Sequence, residues 1–249
     1  MRMANAQPDL TIVIPAYREA KRIGATLTEL ARFLHDDPVL GSKHIELIVV
    51  AADTDDDTHG VVLAHRHLFQ DFRLLRPGPK LGKGRDVRYG MLRARGKAVI
   101  FMDADLATPL KYLPEFYLRH LAGHDLVVAT RNLRRHHPNF VRRLVSNCGN
   151  LIFRFASGIW IEDSQCGFKL FSHHAAQTCF SRLSILGWGF DMEILAIAKA
   201  QKFKTSAYRI DDWTSKPGST FTESFVSNSI KSLRELGSIF WRRLRGAYR

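Results

Sequence analysis

Apolar residues fall in a repeating rhythm over the first 130 positions. Residues 10–14 (LTIVI) form a short β-branched run closed by Pro15, which reads as a buried strand. Residues 19–34 then place Ile23, Leu27, Leu30, Ala31 and Leu34 on one helical stripe. Residues 45–50 (IELIVV) are a second buried strand, 58–69 a helix and 72–75 a third strand. Residues 83–95 are helical, with Gly96 placed to stop the helix. Residues 98–102 (AVIFM) are a fourth strand, 109–121 a helix with proline near its first turn, and 126–129 a fifth strand. This alternation predicts an α/β fold, a mostly parallel central sheet with helices on both faces.

The second half is less regular. Residues 141–157 read as helix, 166–171 as extended, 191–200 as helix and 205–210 as a further strand. Residues 224–249 predict an amphipathic helix. Phe225, Ile230, Leu233, Leu236, Ile239, Phe240 and Leu244 supply its apolar stripe; Lys231, Arg234, Arg242, Arg243, Arg245 and Arg249 supply positive charge. No repeat or low-complexity linker separates the halves, so a single domain is expected.

Composition narrows the partners. The 249 residues are 45% hydrophobic and 24% charged, which suits a packed domain rather than a disordered chain. Lys and Arg number 37 against 24 Asp and Glu, a net charge of +13 that favours anionic partners. Cys148, Cys166 and Cys179 form neither a disulfide framework nor zinc-like pairs, so a reducing compartment is expected. The opening MRMANAQPDL lacks the apolar stretch of a signal peptide, and no apolar run approaches the roughly 20 residues of a membrane span.

In open α/β sheets, ligands bind beyond the carboxyl ends of the strands. That rule brings residues 15–19, 51–58 and 103–105 to one edge. Asp103 and Asp105 flank Ala104 just after the fourth strand. Two carboxylates there can hold Mg²⁺ or Mn²⁺ beside substrate phosphates, or simply form a solvated turn. Lys83, within KLGKG at the start of a helix, suits phosphate or solvent. Neither GxxxxGK[ST] nor a GxGxxG after the first strand is present.

The segments IVIPAYREAKRI (12–23), GKGRDVRYGMLRARG (82–96), FMDADLATP (101–109), DSQCGFKLF (163–171) and GWGFDMEIL (187–195) follow one another in order. Together they resemble the family 2 glycosyltransferases of the GT-A fold. The likeness is greatest to the branch that glycosylates dolichyl and other polyprenyl phosphates, and it spans roughly residues 10–220. DADLATP and QCGFKLF are its most specific parts. The resemblance implies inverting transfer of a sugar from a nucleotide diphosphate sugar to a lipid phosphate. UDP-glucose is the favoured donor, because those two motifs look more like the glucosyl branch.

Carried over by position, Pro15, Ala16, Tyr17 and Glu19 would line the nucleotide pocket. Asp53, Lys83, Asp103 and Ala104 would also meet the donor. Asp103 would lie near ribose and metal, with Asp105 as the main metal ligand. Arg131, together with Lys169, would hold the acceptor phosphate, and Gln165, Cys166, Gly167 and Lys169 would form the floor of the sugar and acceptor cleft. Cys166 reads as a small buried residue rather than a nucleophile. Residues 1–9 would be a tail, 10–109 the nucleotide half, 110–222 the acceptor half and 223–249 a basic helix. Two departures stand out. Ala51 and Ala52 occupy positions where the family carries an acidic pair, with Asp53 or Asp55 able to substitute if the loop shifts. Alternatively, residues 55–57 merely turn and cap the helix at Thr58. Arg18 replaces the asparagine of a PxxNE pattern.

A phosphate acceptor is already an anion near neutral pH, its second pKa being roughly 6, and needs little base catalysis. A hydroxyl acceptor would need a base, and Asp191 is the first candidate. Asp191 could otherwise bind a sugar hydroxyl, orient a basic neighbour or cap its helix. The alternatives to a lipid acceptor are a soluble hydroxyl acceptor and a non-catalytic nucleotide-sugar-binding protein. The aromatic residues show no RNP-like pattern, so nucleic acid is not expected as a partner. A lipid acceptor would place the protein peripherally on the cytoplasmic face of a membrane, docked by the basic helix or by a membrane-protein partner.

Overall fold

The computed structural model describes residues 6–131, 163–187, 189–214 and 225–248. One seven-stranded sheet runs through it, in the order β3-β2-β1-β4-β6-β5-β7. The strands are β1 (Leu10–Ala16), β2 (Ile45–Ala51), β3 (Asp71–Leu75), β4 (Ala98–Met102), β5 (Leu126–Arg131), β6 (Phe168–Ser172) and β7 (Thr205–Ile210). β6 lies between β4 and β5 and runs antiparallel to both; the other pairings are parallel. The helices are α1 (Ile23–Asp36), α2 (Thr58–Ala64), α3 (Lys83–Met91), α4 (Leu113–Leu121), α5 (His173–Arg182), α6 (Phe190–Ala200) and α7 (Phe225–Leu244).

The strands are apolar without a break because both faces of the sheet are covered. Ile12 and Ile14 of β1, Leu47 and Val49 of β2, and Ile100 of β4 pack with α1 and α4. The intervening Val13, Ile48, Val50, Val99 and Phe101 pack with α3, α5 and α6. Leu236 and Ile239 of α7 join this second core. α3 approaches closely at Gly90, where a Cβ would overlap Val13 and Val50.

Several boundaries differ from the sequence pattern. The helix expected over 58–69 ends at Ala64 and continues as a 3-10 turn, Arg66–Leu68. The helix expected over 83–95 stops at Met91. Gly96 lies beyond it and donates its N–H to Thr11 Oγ1 at 2.8 Å, while Arg95 reaches the buried Glu46. α5 was not expected; Ser172 caps it by accepting the Ala175 N–H. The helix expected over 141–157 lies outside the described residues. No helix among them is long and apolar enough to cross a membrane.

Candidate active site

The turns that follow β1, β2 and β4 meet at the carboxyl edge of the parallel strands. Asp103 comes directly after β4, and its N–H donates to the Gly167 carbonyl at 3.2 Å. A Cβ at Gly167 would overlap the Asp103 carboxylate, so any side chain there would have to displace that carboxylate. Asp105 accepts the Ala107 N–H at 3.0 Å. Leu106 takes a left-handed φ of 51°, uncommon for a branched residue, and its buried side chain holds the turn to the core. The turn leaves both carboxylates partly exposed. Ala104 is buried, and its carbonyl accepts the Thr26 hydroxyl at 2.6 Å.

Lys83, in the first turn of α3, reaches Asp103 Oδ1 at 2.5 Å. Burial works against its ammonium, but Asp103 and Asp191 outweigh burial and raise its pKa. Asp191, at the start of α6, is buried and ion-paired with Lys169. Burial pushes the Asp191 carboxyl up, against Lys169 and Lys83. Lys169 is fully buried and donates to the Cys166 carbonyl at 2.7 Å. A chain of alternating charge therefore runs inward from Asp103 through Lys83 and Asp191 to Lys169. Lys169 was expected on the cleft floor and lies beneath it. The antiparallel register sets it opposite Phe101, on the α6 side of the sheet.

Arg131 ends β5 and grips buried Asp163, through Nε at 2.5 Å and Nη2 at 3.0 Å. Its guanidinium also stacks on Trp213, 4.9 Å from the ring centroid. Asp163 outweighs the effect of burial and raises the guanidinium pKa further. Nη1 is not engaged by Asp163. Gln165 is exposed. Cys166 is buried, which pushes its thiol up to about 11 and rules out a ready thiolate. Trp213 shares a shallow depression with Asp103, Thr108 and Gly167. Asp163 was given no role from sequence. Asp163 opens the DSQCGFKLF motif and could have been noticed there.

On the nucleotide side, Pro15 is half-buried and Ala16 is buried. The Tyr17 ring carries Lys80 Nζ at 3.8 Å from its centroid. Arg18, left-handed at φ 56°, forms two 2.9 Å hydrogen bonds with Asp55. Asp56 accepts from Ala20 N–H and from the N–H and hydroxyl of Thr58, tying the first two turns together. Ala51 and Ala52 are fully buried. Asp53 is exposed at the rim, its N–H held by the Gly78 carbonyl at 3.0 Å, its carboxylate 3.8 Å from Arg76.

Glu19 completes an acidic group with Asp103 and Asp105. Burial raises its pKa to about 7 against the pull of Arg22, and Asp105, Asp103 and Asp56 raise it further. This crowding of oxygen donors in a basic chain fits a hard divalent cation. Among the described residues, no three His, Cys, Asp or Glu side chains enclose a metal site.

Known proteins agree with this architecture. Residues 11–180 match the family model Glycosyl transferase family 2. A dolichyl-phosphate beta-glucosyltransferase of Trichomonas vaginalis is 32% identical over 91% of this chain and 71% of its own length. The Drosophila melanogaster and Saccharomyces cerevisiae proteins of that name are each 31% identical, over 97% and 96% of this chain and 77% and 76% of their own lengths. Among solved structures, mannosyl-3-phosphoglycerate synthase from Rubrobacter xylanophilus superposes with a TM-score of 0.65 at 18% identity, covering 96% of this chain and 74% of its own. Glucosyl-3-phosphoglycerate synthase from Mycobacterium tuberculosis, with Mn²⁺, UDP-glucose and phosphoglyceric acid, gives 0.61 at 17%, covering 94% and 80%. The chain belongs to glycosyl transferase family 2. It is a glycosyltransferase of the GT-A fold.

Proposed function

We propose that this protein transfers glucose from UDP-glucose to dolichyl phosphate or a related polyprenyl phosphate, inverting the anomeric carbon. The observation that carries the reading is the Asp103–Lys83–Asp105 edge in a chain about 30% identical, over most of its length, to dolichyl-phosphate beta-glucosyltransferases.

Tyr17 and Asp53 flank the uracil and ribose, with Asp53 standing in for the acids missing at Ala51 and Ala52. Pro15, Ala16, Glu19 and Ala104 wall the nucleotide pocket. Lys83 exchanges part of its contact with Asp103 for the donor diphosphate. Asp105, with Asp103, would hold Mg²⁺ or Mn²⁺, whose charge would offset that of the leaving diphosphate. Arg131 turns Nη1 to the acceptor phosphate, its orientation fixed by Asp163 and Trp213, and Gln165 lies at the mouth. The acceptor oxygen carries its own negative charge, so orientation and charge neutralisation supply the rate gain. Burial of Asp191 against Lys169 weighs against a hydroxyl acceptor, since a general base must reach its proton.

A lipid acceptor requires a membrane. On α7, Trp241 and Leu244 are 60% and 62% exposed, beside exposed Phe240, Arg242, Arg243 and Arg245. This turn suits the cytoplasmic face of an anionic bilayer.

The test is glucose transfer from UDP-glucose to a short polyprenyl phosphate with Mg²⁺ or Mn²⁺. A lipid-extractable product that vanishes with EDTA is expected. A folded, UDP-binding protein that glucosylates only a hydroxyl acceptor would overturn the lipid reading.

A further inference from the structure

Glu193 follows Asp191 by two residues, yet the fold turns it away from the cleft. It is fully buried and accepts four hydrogen bonds. The N–H groups of Ser184 and Ile185 donate to Oε2 at 2.9 and 2.7 Å. The hydroxyls of Ser184 and Tyr248 donate to Oε1 at 2.6 and 3.0 Å. Such a set of donors offsets the cost of burying a carboxylate. Tyr248 is itself buried, and its carbonyl accepts Gln201 Nε2 at 2.5 Å.

The loop that Glu193 holds, residues 183–187, is seated on the start of α3. Arg85 N–H donates to the Leu186 carbonyl at 3.2 Å. A Cβ at Gly82 would overlap that carbonyl, and one at Gly84 would overlap Phe190. Gly82 also takes a φ of 134°, which favours glycine. Lys83 stands between these two glycines. The loop therefore presses on the very backbone that carries the Lys83 ammonium to Asp103.

We infer that Glu193 and Tyr248 are positioning residues: through the 183–187 loop they fix the first turn of α3, and with it the lysine that meets the donor diphosphate. This rests on the donor reading above. Hydrogen exchange on the full chain, with titration of UDP in the presence of Mn²⁺, tests it. Tyr248→Phe removes one hydrogen bond at nearly constant shape. Glu193→Gln sets an amide NH₂ against donors.

In Tyr248→Phe, the Ser184, Ile185 and Arg85 amides should exchange faster. UDP affinity should weaken by about three- to tenfold, the worth of one hydrogen bond. Glu193→Gln should do more of both, and donor KM should rise more than kcat falls. Unchanged exchange at Arg85 would overturn the inference. So would faster exchange with unchanged UDP affinity, which would leave the contact a purely structural one. Failure of the unsubstituted protein to bind UDP would instead defeat the donor reading, and the inference with it.

Discussion

Lys83 Nζ lies 2.5 Å from Asp103 Oδ1, joining the first turn of α3 to the end of β4. The lysine is the cation set against both Asp103 and Asp191. Breaking a buried pair typically costs about 3–5 kcal/mol, but Asp103 is 33% exposed and water recovers part of that. Lys83→Ala should therefore lose about 1–2 kcal/mol of stability. UDP affinity should fall at least tenfold, beyond what lost stability explains. Denaturant unfolding and UDP titration check this; wild-type UDP affinity would remove Lys83 from donor binding.

Gly167 tests the partner of that pair. Gly167→Ala would drive a methyl group into the Asp103 carboxylate. A misplacement on the order of 1 Å can cost about a hundredfold in rate, and turnover should drop by that much. Gly123→Ala provides the contrast. Its φ is 87° in open space, so it should cost about 1 kcal/mol of stability and leave turnover alone. Equal turnover in the two variants would show that Asp103 adjusts freely.

The parallel half of the sheet was legible because buried parallel strands must be apolar on both faces, as Ile12, Val13 and Ile14 are. The carboxyl-edge rule likewise brought Asp103 and Asp105 beside Tyr17 and Glu19. The direction of β6 was not legible, since FKLFS reads the same in either sense. That direction decides where Lys169 goes, and a lysine is ordinarily read as exposed. The Asp163–Arg131 grip spans 32 positions and leaves no local pattern. α5 does leave a local pattern: Ser172 followed by Ala175, Ala176, Cys179 and Phe180 is a capped apolar stripe.

Asp86 gives the fold a pH dependence. Burial raises its pKa from 3.8 to about 6, against Arg85 and Lys80. Between those values the folded carboxyl keeps a proton that the unfolded one releases, so stability falls as pH rises. At about 1.4 kcal/mol per unit, the loss at pH 7.5 is at most roughly 3 kcal/mol. Arg85 Nε lies 2.9 Å from Asp86 Oδ1, an oxygen that asparagine keeps, and its other nitrogens donate to the Pro77 and Gly78 carbonyls. Asp86→Asn should thus be about 1–3 kcal/mol more stable than the native chain at pH 7.5, with no such gain at pH 4. Urea unfolding at the two pH values measures the difference, and a gain independent of pH would contradict it.

The turn of α7 makes the last prediction. One side of the helix is committed to the core through Leu236 and Ile239, while Trp241 and Leu244 face out. Arginine near an anionic surface contributes about 1 kcal/mol each, and the indole and leucine add apolar burial. The protein should sediment with phosphatidylglycerol vesicles, release in high salt and ignore neutral phosphatidylcholine vesicles. Its fluorescence should shift to the blue on binding, and Trp241→Ala should lose that component. Trp241→Ala with Leu244→Ala should weaken vesicle binding at least tenfold while leaving UDP affinity intact, because the turn lies outside the donor site. Equal binding of both proteins to the anionic vesicles would move the membrane contact elsewhere on the chain.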